Sequence, residues 1–448
     1  MLSKLPWLIS RRRLLILGII DYLIILFSFL ILQQIEYLNT NFIAINILAF
    51  CWIIISYSLD KYSLIEDEYN MNISDKFFRL IKTSILCGVI YKIVINIFSI
   101  IGSNVGDGKW LYFISIFSII SFIYELIHSF IIKKYFSKNI KWISIFSNYN
   151  FGTLFINNIK FQKYGYLKSI HISELDRFTF RSNNNFGFIL EDINLLDDDD
   201  KKTLINLKNR GFKILSLTTW LERYLHRYPF EFISSNNIFN ELLINKKPYT
   251  SLRIKRFSEF TIALLLIVLS SPIILIAGIF IKIEDNGPIL YRQTRTGFGG
   301  VNFTIFKLRS MNKNAEKDGI KWTIENDKRI TKIGAWLRKT RIDELPQLFS
   351  VLTGDMSLIG PRPERPEIDE MLTKKIPNYK LRYLVRPGLS GWAQVNYPYG
   401  ASVEDTKMKF SYDIYYIKNL STFFDILIFL ETIRLVLNFR GSEPIKNL

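Results

Sequence analysis

Arg253-Ile254-Lys255-Arg256, an apolar run from Phe257 to Ile283, and Ser270-Ser271-Pro272 inside that run decide how this chain meets a membrane. On length alone the run is a spanning helix, since a helix rises 1.5 Å per residue and a bilayer core takes about 20 apolar residues. Its flanks argue otherwise. Arg253, Lys255 and Arg256 precede it while Lys282, Arg292 and Arg295 follow it, so a full crossing would place basic residues on both faces. Proline removes a helical hydrogen bond near the middle of the run, and the serines beside it can satisfy the freed carbonyls. Ser271 and Pro272 therefore mark the break of a re-entrant helix that dips into the membrane and returns over about 257–283. Such a helix keeps the residues after it on the cytoplasmic side, at the lipid surface.

Gly287-Pro288-Ile289-Leu290-Tyr291-Arg292-Gln293-Thr294-Arg295-Thr296-Gly297 reads next as a turn and a polar strand, and Phe303 to Met311 as a second strand. Lys307 and Arg309 in that strand are two residues apart, so they project from one face, which by itself describes a solvated edge as well as a site. Ile333 to Thr340 reads as a helix carrying Arg338 and Lys339 toward Arg341-Ile342-Asp343-Glu344-Leu345-Pro346-Gln347. An Asp-Glu pair is ordinarily a solvated helix face. Here it lies among cations, which keep a carboxylate ionised, so that one acid can attack an electrophile while its neighbour holds a hard divalent cation. Pro361-Arg362-Pro363 fixes the backbone on both sides of a guanidinium, a group that grips phosphate with paired hydrogen bonds. Phe423 to Phe439 is apolar with Asp425, Glu431 and Arg434 interspersed, and reads as an amphipathic helix lying on the membrane or packed on the core. Trp392 and Tyr415-Tyr416 read as buried packing before interfacial contact.

Toward the N-terminus, Arg11-Arg12-Arg13 precedes an apolar run from Leu14 to Leu32, and further runs cover about 42–59, 77–101 and 110–132. A signal peptide is the competing reading of the first run, but that run is too long and more apolar segments follow it. Four crossings result, with the arginines and Lys133, Lys134 and Lys138 all cytoplasmic. From about Lys141 to Asn245, strands at 141–146, 167–172, 186–190 and 212–217 with helices at 201–209 and 220–228 give a small α/β domain. Its first turn, Ser147 to Gly152, has one glycine where a dinucleotide loop needs three, so no cofactor is expected there. Asp197 to Asp200 resembles a metal cluster, but acids favour the start of the helix predicted there.

Composition agrees with a membrane protein carrying soluble parts: of 448 residues 49% are hydrophobic, and mean hydropathy is +0.16. A net charge of +18 calls for anionic partners. No nucleic-acid motif is present, which leaves lipid and phosphate. Cys51 and Cys87 lie in apolar runs and read as packing. The expected fold is thus a membrane α-helical region of four transmembrane helices (1–138), a degenerate α/β, nucleotide-fold-like cytoplasmic domain (139–248) and a membrane-embedded α+β catalytic domain (249–448).

Lys255-Arg256, Ser271-Pro272, Phe306 to Met311, Asp343 to Gln347, Pro361 to Pro366, Arg386 to Asn396 and Asp413 to Ile417 occur in one order, and in this the chain resembles the bacterial polyprenyl-phosphate hexose-1-phosphate transferases, the monotopic phosphoglycosyl transferases. Glu259 departs from the pattern, standing where Asp is expected. The resemblance implies transfer of a sugar-1-phosphate from a UDP-sugar to undecaprenyl phosphate at the bacterial inner membrane, with release of UMP, as the initiating step of exopolysaccharide, capsule or O-antigen synthesis. Asp343 matches the nucleophile, Glu344 the residue holding Mg²⁺, and Arg362 the phosphate-gripping arginine. Lys307, Arg309 and Arg386 lie in blocks whose cations would meet diphosphate, Asp413 is implied as an acid on the metal side, and a homodimer is compatible. A catalytically inert membrane scaffold for polysaccharide assembly is the alternative.

Overall fold

The computed structural model describes residues 6–34, 42–59, 61–62, 73–100, 110–135, 141–146, 166–171, 186–190, 198–228, 249–313, 315, 327–397, 400 and 402–437. The chain divides into two compact units, 1–225 and 226–448.

In the first unit, α1 (Pro6–Gln34), α2 (Phe42–Ser58), α3 (Ile73–Ile100) and α4 (Trp110–Tyr135) pack around one core. Ile25 and Phe29 of α1, Ile45, Leu48 and Trp52 of α2, Cys87 of α3 and Phe113 and Phe117 of α4 fill it. Their outward faces stay apolar, with Phe27, Phe50, Ile85 and Phe130 exposed. Apolar outward faces of this kind suit lipid better than water. Residues 16–34 are long and apolar enough to cross a bilayer, and 45–58 and 113–128 are shorter apolar helices. Inside the bundle Asp21 accepts hydrogen bonds from Lys61 at 2.6 Å, Tyr62 at 2.5 Å and Ser121 at 2.7 Å, and Arg79 pairs with Glu125. These buried charges are all partnered, which is the condition for keeping them out of water.

β1 (Lys141–Phe146), β2 (Tyr166–His171), β3 (Phe186–Leu190) and β4 (Lys213–Ser216) form a wholly parallel sheet in the order β2-β1-β3-β4. Between β3 and β4 lies α5 (Asp198–Asn209), whose Leu204 and Leu207 pack with Phe188 and Phe212. Asp198 to Asp200 of the aspartate run form the first turn of α5, where Asp198 and Asp199 pair with Lys201 and Lys202, and Asp197 lies outside the described residues. α6 (Leu217–Leu225) begins and ends three residues earlier than the sequence predicts, its end set where His226 turns into the left-handed region at φ 51°. The glycine-poor turn 147–152 lies outside the described residues.

The second unit opens, within the described helices, on α7 (Tyr249–Asp285), one continuous helix that holds Pro272 in its interior. The sequence predicts an interruption there; the helix persists because Ser271 Oγ donates to the Val268 carbonyl at 2.8 Å, the acceptor that proline cannot serve. Near the start of α7, Arg256 donates to the carbonyls of Val351 and Leu352 at 2.6 and 2.9 Å. Lys255 there reaches Ile359 O, Tyr416 and Asp425. Glu259, one turn on, accepts from Ser357 and stands 3.4 Å from Lys255, so the longer acid still finds partners. At the far end Ala277 and Ile281 pack with Leu308 and Leu337. Between these anchors Leu265, Val268, Leu269 and Leu275 are exposed.

β5 (Leu290–Thr296) and β6 (Asn302–Leu308) follow as an antiparallel hairpin, with Gly299 and Gly300 supplying positive φ at its turn. Then come α8 (Lys332–Thr340), a 3-10 turn Ile342–Gln347, α9 (Leu348–Thr353), β7 (Ser357–Ile359), α10 (Pro366–Lys375), a 3-10 turn Tyr379–Leu384, β8 (Gly388–Ser390) parallel to β7, α11 (Trp392–Asn396), α12 (Val403–Lys418) and α13 (Thr422–Leu437). Trp392, Tyr415 and Phe424 bury their rings together, and the Trp392 indole donates to His226 O at 2.7 Å. Phe424 and Ile428 of α13 are fully buried, so this helix packs on the core along that face.

Candidate active site

The acidic pair is presented by a deliberate break between two helical turns. Thr331 Oγ1 caps α8 by accepting from Gly334 N at 2.9 Å, and Gly334 lies so close to the Ser310 backbone that a side chain there would collide with it. The helix stops at Arg341, a non-glycine residue in the left-handed region (φ 60°, ψ 13°), and the chain re-enters as the 3-10 turn with Asp343 and Glu344 in its first turn. A side chain in that conformation is uncommon and costs of order 1 kcal/mol, an outlay seen where backbone direction matters for function.

Three cations converge on Glu344. Arg362 donates to Oε1 at 2.5 Å, Lys307 from β6 lies 3.8 Å from the same oxygen, and Arg341 is 3.4 Å from Oε2. Burial alone would raise the Glu344 carboxyl, but Arg362, then Lys307 and Arg341, hold it well below the usual carboxylate range. Burial also lowers the Lys307 ammonium, against the pull of Glu344. Asp343 is 7% exposed, and among the described residues no side chain donates a hydrogen bond to it. Burial, then the charge of Glu344, pushes its carboxyl up to about 6. Neighbouring carboxylates in unlike surroundings take unlike roles. Glu344 is held ionised by bonded cations, while Asp343 feels Lys307, Arg338 and Arg341 only through space and accepts no side-chain hydrogen bond among the described residues.

Both acids open onto a cavity of about 640 Å³, within the range of about 300–1,000 Å³ that holds a small-molecule ligand. Basic side chains outnumber acidic ones in its wall, which includes Lys307, Arg309, Arg362 and Asp413. Lys307 and Arg309 share a face, as their spacing requires. Arg309, however, gives its guanidinium to Asp285 at the end of α7, over Gly287, where any side chain would strike it. Asp413 is 3% exposed and paired with Arg382 at 3.1 Å, and burial pushes it up to about 6 in spite of that partner.

Arg386 does not join them. It is exposed and outside the cavity wall, because its block acts through backbone instead. Ser357 N donates to Pro387 O and Gly360 N to Ser390 O, both at 2.8 Å. Gly360, Gly388 and Gly391 approach one another's main chain so closely that a methyl group on any of them would overlap it. That contact seats the Pro361-Arg362-Pro363 loop. Ser271 and Pro272 lie in the exposed middle of α7. Sequence reasoning missed Arg295, Arg382 and Lys409 in the wall; Arg295 and Arg382 sit inside or just before quoted blocks, but nothing in their spacing separates a wall residue from a surface cation.

Mg²⁺ takes one or two carboxylates and completes its shell with water and phosphate oxygens. Asp343 and Glu344, adjacent on one turn, are hard oxygen donors of that kind, so their chemistry fits. Asp413 does not gather with them: its oxygen is taken by Arg382, and among the described residues no three acids, histidines or thiols form a metal cluster.

Comparison with known proteins places this site in context. The family model described as "Bacterial sugar transferase" matches residues 250–439. The chain is 47% identical over 190 residues to a UDP-N-acetylgalactosamine-undecaprenyl-phosphate N-acetylgalactosaminephosphotransferase of Aeromonas hydrophila, covering 42% of this chain and 45% of that protein. It is 43% identical over 181 residues to a UDP-glucose:undecaprenyl-phosphate glucose-1-phosphate transferase of Caulobacter vibrioides, covering 40% of this chain and 68% of the relative. An enzyme of the same name from Escherichia coli is 37% identical over 182 residues, 40% of this chain and 39% of the relative. The match thus spans less than half the length of the Aeromonas and Escherichia proteins and two thirds of the Caulobacter one. With the acidic pair, the Pro-Arg-Pro loop and the basic cavity all inside the matched segment, this chain belongs to the bacterial sugar transferase family.

Proposed function

We propose that the protein transfers a sugar-1-phosphate from a UDP-sugar to undecaprenyl phosphate in two displacements at phosphorus. The observation that carries this reading is the unengaged Asp343 carboxylate beside a Glu344 held ionised by Arg362, Lys307 and Arg341. An oxygen of Asp343 attacks the sugar-bearing phosphorus, the bond to the bridging oxygen breaks, and UMP leaves with that oxygen. An oxygen of the lipid phosphate then attacks the same phosphorus, the aspartyl bond breaks, and the polyprenyl diphosphate sugar departs with Asp343 restored. Arg362 and Lys307 stand where they offset charge on the diphosphate. Mg²⁺ held by Glu344 and Asp343 would lessen the repulsion between an anionic nucleophile and an anionic phosphate.

Detergent-purified protein is expected to release UMP when offered UDP-N-acetylgalactosamine or UDP-glucose, the donors in its relatives' names, with release dependent on Mg²⁺. No release from a broad panel of UDP-sugars would favour the inert scaffold instead. Because the ionised form of Asp343 is the nucleophile and its carboxyl is raised to about 6, single-turnover UMP release should climb as pH rises through about 6 and level off above it. A rate flat from pH 5 to 8 would contradict that assignment.

The same reading makes α7 re-entrant at the cytoplasmic face of the inner membrane, joined to four crossings. What supports that reading is the pattern of basic residues on both flanks of the apolar stretch and Pro272 in its interior. Cysteines introduced at Tyr249 and Asn286, in a chain without Cys51 and Cys87, should label from the same side of the membrane. Labelling from opposite sides would make α7 a crossing.

A further inference from the structure

Four consecutive carbonyls in the Pro-Arg-Pro loop each accept a hydrogen bond. Gly388 N donates to Pro361 O at 2.9 Å, Arg382 Nη2 to Arg362 O at 2.7 Å, Arg295 Nη1 to Pro363 O at 2.9 Å and Thr296 N to Glu364 O at 2.9 Å. Pro361 and Pro363 have no N–H, so carbonyls are the handles this backbone offers. Two of the four donors are guanidinium groups spent on neutral oxygens inside a cavity otherwise suited to anions. Neither guanidinium is loose. Arg382 is 8% exposed, paired with Asp413 at 3.1 Å, bonded to the Tyr379 hydroxyl, and stacked 4.9 Å from that ring. Arg295 is held by Gln293 Oε1 at 3.0 Å from Nε and 2.5 Å from Nη2, and its side chain is 13% exposed. The Arg362 side chain between them is 34% exposed and meets Glu344.

We propose that Arg295 and Arg382 are positioning residues, clamping the Arg362 and Pro363 carbonyls, the two that follow the Arg362 side chain, so that its guanidinium stands against Glu344 and the donor diphosphate. Asp413 then serves the reaction through Arg382. This rests on the transferase reading above. A long, partly exposed side chain samples many rotamers, and an error of about 1 Å in a phosphate clamp costs on the order of 100-fold in rate. Fixing both neighbouring carbonyls removes the backbone share of that error.

The test is a double-mutant cycle on the full-length protein, read as kcat/KM for UMP release and, separately, as the Kd of UDP by calorimetry. Arg382→Met and Arg295→Met should each lower kcat/KM by about 30- to 100-fold. Each, combined with Arg362→Ala, should be no more than about threefold worse than Arg362→Ala alone, because residues that act through one another do not add. Arg382→Met leaves Asp413 as a lone buried charge, so Arg382→Met/Asp413→Asn, which removes both charges, is measured beside it with thermal unfolding as the control. Losses that multiply with that of Arg362→Ala, in kcat/KM or in UDP affinity, would overturn the proposal and make these arginines direct phosphate ligands or general supports. Wild-type protein that turns over while the losses multiply overturns this inference alone. Wild-type protein that releases no UMP from any UDP-sugar overturns the transferase reading and this inference with it.

Discussion

Asp343→Asn is expected to reduce UMP release by about 10⁴-fold or more and to abolish retention of donor-derived phosphate on the protein. Removing an enzyme's nucleophile typically costs about 10⁴ to 10⁶ in kcat, because what remains is binding and electrostatics without a covalent path. Asparagine is nearly isosteric with aspartate, and the Asp343 carboxylate gives up no hydrogen bond among the described residues, so the fold should survive. Stability should in fact rise. A carboxyl raised from 3.8 to about 6 on folding is harder to ionise in the native state. The cost of ionising it is absent below about pH 4 and fully present above about pH 6, on the order of 3 kcal/mol. The variant should therefore melt higher than wild type at pH 7 and level with it near pH 4. Incubating both proteins with donor labelled in its sugar-bearing phosphate and counting protein-bound label checks the chemistry. Label retained by the Asn variant, or mapped to another residue in wild type, would remove Asp343 from its role.

Glu344→Gln should lower kcat/KM by about 10²- to 10³-fold, the size of effect seen when one preorganised charge contact at a reacting group is lost. The reasoning differs from that for Asp343. Glu344 is the common partner of Arg362, Lys307 and Arg341, so neutralising it releases three cations at once. Those cations would then turn toward Asp343, whose carboxyl should titrate lower and whose nucleophilicity should fall with it. The pH rise in single-turnover rate should accordingly move below 6 in this variant, and its Mg²⁺ requirement should shift to higher concentration. A Gln variant with wild-type turnover and an unmoved pH profile would show that Glu344 is a bystander.

Much of the site was legible along the chain. Asp343, Glu344 and Arg362 are local signals: two acids in sequence and an arginine between prolines carry their chemistry wherever the fold puts them. Lys307 and Arg309 were legible as a shared face, since strand alternation is local too. The same local reasoning failed for Arg309 and Asp413, whose charges are taken up by Asp285 and Arg382 from distant parts of the chain. It also failed for Arg386, where the block works through glycine backbones packed on Gly360.

For the fold, apolar run length located α1 to α4 and α7, because a long apolar run is a property that any one segment displays by itself. Whether Pro272 ends its helix was not readable, since it depends on one serine rotamer reaching Val268. By itself the sequence determined which groups are available: two carboxylates, the cations and the membrane-seeking helices. Only the tertiary structure decided which cations answer which acid, leaving Asp343 unengaged while Glu344 is held, because pairing depends on distances across elements that no spacing in the chain encodes.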